Sequence, residues 1–317
     1  MSSKPAHPEA KPARGRARWP LIVLGGWIAL ACALFLFTAP PPEAPAVDPQ
    51  DQAIRARMSA WAERDAEVWD ASTGDLDLPW DRAQGHLAIV IDDVGRELDA
   101  FDKLHALRFP LNFSVLPGSA YATGVQDRLA ADTRRPREIL LHLPMEPLDP
   151  SHMYTDAERG EDFLRASDDP EALRAKLDAA LAAVPGAVGI NNHMGSRLTT
   201  QAEAMDALMP VLRERGLYFL DSRTTPATLA AFSAERAGVP TISRKVFLDH
   251  EPGKKAIRAA LEQAALEARR QPCVAIAHSS MDLVEVLEEM LPKLRAEGVG
   301  IYPLSRVIAA PRPSLDL

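Results

Sequence analysis

Aspartate and histidine residues follow several short apolar stretches of this sequence, and both residue types bind divalent metals. Asp92 and Asp93 follow one such stretch. His142 lies near the end of a second stretch, and His193 follows a third. A carboxylate and two imidazoles can hold Zn²⁺ while leaving one coordination position open for water. Such a metal lowers the pKa of its water toward neutrality and polarises a carbonyl group, so these residues predict hydrolysis of an amide or ester bond.

Polar residues also end three later apolar stretches, at Asp221-Ser222-Arg223, Asp249 and His278. If the stretches are parallel strands of one barrel, their carboxyl ends meet at a single mouth, where barrel enzymes place their active sites. His278 could then protonate a leaving group as a general acid. Each residue alone is weak evidence, because strand-ending Asp and His residues also serve as helix caps or satisfied core groups.

Composition excludes several other classes of site and function. Cys32 and Cys273 are the two cysteines of the chain, which rules out a disulfide framework and a cysteine-rich zinc site. A formal net charge of -8 argues against a nucleic-acid partner, because such proteins usually carry a basic patch. The sequence contains no G-x-S-x-G, P-loop or G-x-G-x-x-G motif, so a serine nucleophile and a dinucleotide cofactor have no support.

Short apolar stretches alternate with helical patterns from residue 86 onward, which predicts a parallel sheet covered by helices. Seven or eight such units in about 220 residues suit a (β/α) barrel, a fold that takes roughly 250 residues. The predicted strands are residues 86–91, 111–116, 138–143, 187–191, 217–220, 244–248, 273–277 and 299–304.

Three helices are predicted from local patterns. An acidic N-cap followed by proline opens a helix over Asp169 to Val184. A capping box over Thr200 to Glu203 opens a second helix that runs to Arg215. The apolar residues between Leu283 and Leu294 recur at helical spacing, which indicates a helix packed on the barrel.

The amino-terminal region predicts a membrane anchor. Residues 21–39 form an apolar, uncharged run that is long enough to span a bilayer as a helix. Basic residues before this run favour a cytoplasmic amino terminus. The alternative is a cleaved signal peptide ending at Ala44-Pro45-Ala46, although the apolar run is longer than such signals usually have. We therefore expect a tail (1–20), an inner-membrane span (21–39), a Pro-rich spacer with a juxtamembrane helix (40–85) and a periplasmic domain (86–317).

Six segments of the sequence together resemble the divergent polysaccharide deacetylase family, distant relatives of the NodB-type carbohydrate esterases. The resemblance covers residues 86–307 and implies a distorted (β/α) barrel of about seven strands with a metal site. The segments are IDDVG (91–95), HLPMEP (142–147), NNHMGSRLT (191–199), FLDSRTT (219–225), VFLDH (246–250) and AHSS (277–280).

The resemblance also implies roles for individual residues. Asp92 matches the catalytic base and Asp93 the metal ligand, and the turn of the chain at a strand end would let both side chains reach one site. His142 matches a histidine ligand, whereas the second histidine of the relatives is replaced by glutamate at position 146. We infer that His193 supplies the missing imidazole. His278 matches the catalytic acid, and Asp249 an aspartate that orients catalytic groups.

Glu146 is a candidate metal ligand or a partner that holds a histidine ring from the outer shell. Arg197 and Arg223 could form surface salt bridges or bind an anionic group of the substrate. The full set expected to bind substrate or support the ligands is Glu146, Asn192, Ser196, Arg197, Asp221, Ser222 and Arg223.

Three functions remain open at this point. The first is a metal-dependent hydrolase, with Zn²⁺ as the expected metal, that removes acetyl groups from a cell-envelope glycan such as peptidoglycan. The second is a non-catalytic, metal-containing module that binds glycan or regulates envelope proteins, which would give the chain an envelope protein partner. The third and weakest is another metal-assisted hydrolase, acting on phosphoester or peptide bonds.

Overall fold

A computed structural model describes residues 78–132, 137–153 and 162–310. Nine strands and eight α-helices lie in these ranges. The strands are β1 (Gly85–Val94), β2 (Asn112–Val115), β3 (Ile139–Met145), β4 (Ala187–Met194), β5 (Tyr218–Asp221), β6 (Thr241–Ser243), β7 (Val246–Phe247), β8 (Cys273–His278) and β9 (Val299–Ile301). The helices are α1 (Asp99–Ala106), α2 (Ala122–Ala131), α3 (Pro170–Ala183), α4 (Ala202–Glu214), α5 (Ala230–Ala237), α6 (Lys254–Arg270), α7 (Met281–Ala296) and α8 (Leu304–Ile308).

The strands form one sheet in which every pairing is parallel, in the order β6-β5-β4-β3-β2-β1-β8-β7, with β9 paired to β1. Consecutive parallel strands need a crossover, and helices supply most of these crossovers. The helices cover the outer face, which explains why the strands are apolar on both faces. The predicted parallel α/β class is confirmed.

The chain itself joins the two ends of this sheet. Arg244 N donates to Asp221 O of β5 at 2.9 Å, and Lys245 N donates to Val274 O of β8 at 2.9 Å. One peptide step therefore carries the chain from one sheet edge to the other, so the sheet is curled upon itself. Among the described strands, no hydrogen-bonded ladder joins β6 to β7. The distorted barrel is therefore open between these two edge strands.

The nine strands of the described residues exceed both the eight predicted from the sequence pattern and the seven or so that the resemblance implies, and the predicted strand 244–248 is shorter than expected. Arg244 and Lys245 form the crossing, so β7 begins at Val246. The sequence analysis missed β6, because three residues are too few to show periodicity.

Two apolar layers result from the alternation of side chains along each strand. In β1, Ile89 and Ile91 pack toward the outer helices, whereas Ala88 and Val90 point to the inside of the curl. We call the inward set the inner apolar layer. Its buried members are Ala88, Val90, Leu140, Tyr218, Leu220, Val274, Ile276, Tyr302, Leu304 and Val307.

The amino-terminal end of the curled sheet is closed by α8 and by the 3-10 turn Trp80–Arg82. The Trp80 ring lies 4.7 Å from the Tyr302 ring, measured between centroids. The Tyr302 hydroxyl donates to Leu78 O at 2.8 Å. The carboxyl-terminal end is therefore the end left for a site.

Two of the three predicted helices are confirmed, and the start of the remaining one is wrong. Helix α3 begins at Pro170, after Asp169, whose Oδ1 accepts from Ala172 N at 2.8 Å. The predicted stripe of α7 is buried against the fold. Helix α4 instead begins at Ala202 without a side-chain cap, because Thr200 lies in a 3-10 turn and its hydroxyl donates to Arg197 O at 2.7 Å.

The expected tail and membrane span, and most of the spacer, lie outside the described residues, which begin at residue 78. Within the described ranges, no helix combines the length and the apolar character needed to cross a bilayer. The membrane anchor and the domain boundaries stay predictions.

Candidate metal centre

A polar layer lies directly above the inner apolar layer, at the carboxyl ends of the same strands. Asp92 comes two residues after Val90, and His142 comes two residues after Leu140. Because side chains two apart share a face of a strand, both point into the curled sheet. Asn191 of β4 and His278 of β8 occupy the same level: Asn191 pairs with His142, and His278 pairs with Asp92. We call these four residues, with Asp93 and His193, the inner polar layer.

Asp93 reaches the same site as Asp92 although neighbouring residues of a regular strand point to opposite faces. Its φ of 58° lies in the left-handed region, and the pairing of β1 with β2 shifts register between Ile91 and Val94. Aspartate tolerates this conformation better than most residues, at a cost of about 1 kcal/mol or more. Both carboxylates consequently approach His142, as expected from a turn at the strand end.

Asp93, His142 and His193 place one potential ligand atom each within 4.8 Å of the others. Asp93 Oδ1 lies 3.2 Å from His142 Nε2 and 3.1 Å from His193 Nδ1. The two imidazole nitrogens are 3.2 Å apart. Metal–ligand bonds of ~2.0 Å in a tetrahedron give ligand–ligand edges of roughly 3.3 Å. The three atoms therefore have the spacing of one face of a tetrahedral site.

The electrostatics of this triad also suit a cation. Asp93 Oδ1 is buried and accepts no well-aligned hydrogen bond. Burial alone would raise the pKa of Asp93, but the adjacent imidazoles of His142 and His193 hold that pKa well below its usual range. Burial lowers the pKa of His193 and favours its neutral, ligating form. Burial also acts to lower the pKa of His142, but the Asp92 and Asp93 carboxylates raise it, so a metal ion would displace a proton from His142. An ionised carboxylate and a neutral imidazole are what a divalent metal requires, so the residues present fit such an ion.

Asn191 organises the polar layer, and it was absent from the predicted site. Its Oδ1 lies 2.9 Å from His142 Nδ1 and also accepts from Ser114 Oγ. Its Nδ2 donates to Asp92 Oδ1 at 2.9 Å and to Ser222 Oγ at 3.1 Å. An amide oxygen beside Nδ1 selects the tautomer that leaves Nε2 of His142 free to ligate. The strand alternation could have found Asn191, because it lies two residues before His193.

Asp92 is buried beside the triad and has a different electrostatic character from Asp93. Burial raises its pKa, opposed by the nearby His142 and by the hydrogen bond from Asn191. Its Oδ2 lies 3.8 Å from His142 Nε2. A carboxylate with a raised pKa accepts a proton more readily than an ordinary aspartate, which is the property of a general base.

His278 and Asp249 form an acid–imidazole pair at the rim. Asp249 Oδ2 lies 3.2 Å from His278 Nδ1 and accepts from His278 N at 3.0 Å. Burial acts to lower the pKa of His278, but the hydrogen bond and charge of Asp249, with the charges of Asp93 and Asp92, raise it to about 9. His278 therefore carries a proton at neutral pH. Its side chain is 46% exposed, so that proton is accessible from the mouth.

Glu146 points away from the triad toward a neighbouring loop. Its Oε2 accepts from Ala166 N at 2.7 Å, and its Oε1 lies 3.5 Å from Arg197 Nη1. Its backbone N donates to Leu164 O at 2.9 Å. Glu146 thus ties the segment around Leu164 to the end of β3, and among the described residues its carboxylate joins no candidate metal cluster.

Four other predicted residues hold the loops around the mouth. Asn192 Oδ1 accepts from Ser222 N at 2.9 Å, which couples the ends of β4 and β5. Ser196 Oγ accepts from Leu148 N at 2.9 Å. Asp221 Oδ1 accepts from Arg223 N at 2.9 Å, and burial raises the Asp221 pKa. Arg197 and Arg223 are exposed, and their contact with a substrate stays a prediction.

Comparison with known proteins identifies relatives of this chain. Residues 89–308 match the family model described as divergent polysaccharide deacetylase. The uncharacterized protein YibQ of Escherichia coli (strain K12) is 37% identical over 211 residues, which cover 66% of this chain and 63% of YibQ, under two thirds of that protein. An uncharacterized protein of Haemophilus influenzae is 30% identical over 241 residues, covering 74% of this chain and 82% of that protein.

A solved structure agrees with the fold. The uncharacterized protein ATU2773 from Agrobacterium tumefaciens C58 superimposes with a TM-score of 0.64 at 24% identity, covering 73% of this chain and 93% of that one. At this identity the likeness concerns the fold alone. The family model, in contrast, spans well over half of the sequence, including the triad and the His278–Asp249 pair. This chain therefore belongs to the divergent polysaccharide deacetylase family.

Proposed function

We propose that this protein is a metal-dependent hydrolase that removes acetyl groups from a cell-envelope polysaccharide. One observation carries the proposal: three ligand atoms lie 3.1–3.2 Å from one another, beside the buried carboxylate of Asp92. The donor set of one carboxylate and two imidazoles favours Zn²⁺ over Mg²⁺ or Ca²⁺, which prefer oxygen ligands.

The chemistry of the site divides among four groups of this chain and the metal. Asp93, His142 and His193 would hold a divalent cation, which when bound would supply Lewis-acid polarisation of the acetyl carbonyl and activation of water. Asp92 takes the proton from the attacking water on its carboxylate. His278 gives its proton to the leaving nitrogen or oxygen as the bond to the acetyl carbon breaks, so acetate and an amine or alcohol are released. Asp249 holds the His278 ring through Nδ1, which leaves Nε2 to deliver the proton.

The location follows from the amino-terminal sequence. The uncharged run at residues 21–39, preceded by basic residues, supports a single inner-membrane span with the deacetylase-like domain in the periplasm. This location would give the mouth access to peptidoglycan or another envelope glycan, and to an envelope protein partner. Nothing in the composition favours nucleic acid.

The test is acetate release by the full-length chain from chitooligosaccharides and peptidoglycan fragments, with and without Zn²⁺. We expect Zn²⁺-dependent release that falls by about 10²–10⁴-fold in Asp92→Asn and in His278→Ala, because each removes a proton-transfer group. Bound zinc without acetate release from any of these glycans would reject the hydrolase and leave the non-catalytic glycan-binding function.

A further inference from the structure

The guanidinium group of Arg96 lies against the triad of Asp93, His142 and His193. Its Nε lies 3.5 Å from Asp93 Oδ2, and its Nη2 lies 3.4 Å from His193 Nε2. One guanidinium group thus spans two of the three triad residues from the outside. Its side chain is 38% exposed, so it lies at the rim and can move into solvent.

A short turn after β1 fixes the backbone that carries Arg96. Arg96 N donates to Asp93 O at 3.4 Å, and Tyr121 N donates to Gly95 O at 2.9 Å. Gly95 has a φ of 103°, and a Cβ there would lie 2.3 Å from Ser119 Oγ, so the turn requires glycine. The approach of Arg96 to the triad therefore follows from the local fold.

The two imidazoles of the triad have opposite outer partners. His142 turns Nδ1 toward the oxygen of Asn191, an acceptor. His193 turns its outer nitrogen, Nε2, toward Arg96. A histidine that ligates through Nδ1 carries its proton on Nε2, and its usual outer partner is an acceptor. A guanidinium group can only donate hydrogen bonds, so it pairs with an Nε2 that carries no proton. A His193 that ligates through Nδ1 carries its proton on Nε2, and that proton would face the N–H groups of Arg96.

The charge of Arg96 acts in the same direction. Asp93 is the carboxylate of the triad, and a positive charge at 3.5 Å offsets part of its attraction for a cation. Arg96 also repels any cation that the triad would hold. A metal ion in the triad would therefore share Asp93 with a guanidinium group that already lies against the other oxygen of its carboxylate.

We propose that Arg96 competes with the metal ion for the triad, so that metal binding is weak and reversible and requires Arg96 to leave His193. This inference rests on the proposed metal-dependent function and adds a control over occupancy of the same site. Metal would fill the triad when the free ion is plentiful, and Arg96 would return to Asp93 and His193 when it is scarce.

The experiment measures Zn²⁺ affinity of the metal-stripped full-length chain in detergent, by competition with a chromophoric chelator. We expect Arg96→Gln to bind Zn²⁺ about tenfold more tightly than the unmodified chain, because a unit charge a few ångströms from the ion is removed. Arg96→Lys keeps the charge but loses the planar fork and should give an intermediate affinity. The matched control is Arg215→Gln, which removes an exposed arginine paired to Asp178 on the outer helices and should leave the affinity unchanged.

Histidine ¹⁵N spectra of the metal-free proteins give a second readout. In the unmodified chain His193 should show a proton on Nδ1, and Arg96→Gln should shift that tautomer toward Nε2. Equal or weaker Zn²⁺ affinity in both Arg96 variants would overturn the inference and leave the proposed hydrolase standing. An absence of Zn²⁺ binding in every protein, the Arg96 variants included, would overturn both.

Discussion

The inner apolar layer and the inner polar layer lie on the same strands and the same face, yet they serve different ends. Along β1, Val90 belongs to the apolar layer, and Asp92, two residues later on the same face, belongs to the polar layer. The same step separates Ile276 from His278 in β8. The amino-terminal end is closed by α8 and Trp80, whereas loops surround the carboxyl-terminal end. One strand can thus stabilise the fold through its amino-terminal part and supply reactive side chains at its carboxyl-terminal end.

This contrast predicts that the polar layer governs metal binding and the apolar layer governs stability. The largest effect should come from Asp93→Ala, which removes the ionised ligand and leaves two imidazoles. We expect Zn²⁺ binding to be lost and acetate release to fall by about 10³-fold or more, since the cation supplies the activation of water. Asp206→Ala, which removes a half-buried aspartate paired to Arg236 on the outer helices, is the matched control and should retain both. Retained zinc affinity in Asp93→Ala would show that the triad is not the metal site.

The second prediction concerns the apolar layer. Leu140 is fully buried in it, one alternation below His142, so Leu140→Ala should leave a cavity and lower the free energy of unfolding by about 2–5 kcal/mol. Zn²⁺ affinity of the folded protein should change little. Leu266→Ala, at a side chain 60% exposed, is the control for stability. Chemical denaturation and chelator competition measure the two quantities, and a large loss of zinc affinity in Leu140→Ala would mean that the layers are not separable.

Strand alternation predicts most of both layers from the sequence. Apolar stretches ending in Asp92, His142 and His278 identify three strands and the polar end that they share. The crossing at Arg244 and Lys245 was not predictable, because it depends on how far the sheet curls. The capping box at Thr200 failed because a 3-10 turn takes the same residues, a competition that local sequence does not decide.

Within the site, sequence reasoning reached the residues whose types imply chemistry and missed Asn191, which acts through hydrogen bonds. Asn191 has no distinctive chemistry alone, and its importance arises from four neighbours, three on other strands and one directly after the end of a fourth. Glu146 has the right type for a ligand, but backbone contacts of the adjacent loop turn it away. Arg96 follows a turn whose geometry is set by a glycine and by contacts from the next loop.

The third prediction compares substitutions of two buried asparagines, one in the polar layer and one beside the apolar layer. Asn191→Ala should weaken Zn²⁺ binding by about 10–100-fold, because His142 loses the partner that fixes its ring. Asn112 is also buried, but it bonds to Ile89 O and Leu304 N near the apolar layer. Asn112→Ala should therefore lower stability without changing zinc affinity. Equal zinc affinities in the two variants would contradict the role assigned to Asn191.

The smallest expected effect lies at the rim of the polar layer, in Asp249→Asn. Asp249 is the largest contributor to the raised pKa of His278, so its neutralisation should move that pKa from about 9 toward the ordinary histidine value. Because the folded pKa is raised, the ionic pair stabilises the fold fully below the unfolded value near 6.5 and ceases to do so as pH rises through about 9. General-acid activity is lost over the same rise, and the variant should lose it at lower pH.

An NMR titration of His278 and the alkaline limb of acetate release measure this shift, with Asp206→Asn as the control. An asparagine oxygen can still accept from His278 N, so the backbone arrangement should persist while the charge disappears. If the alkaline limb stays in place while the His278 titration moves, the group that limits activity is not His278. That result would place the proton donor elsewhere in the polar layer and leave the division between the two layers intact.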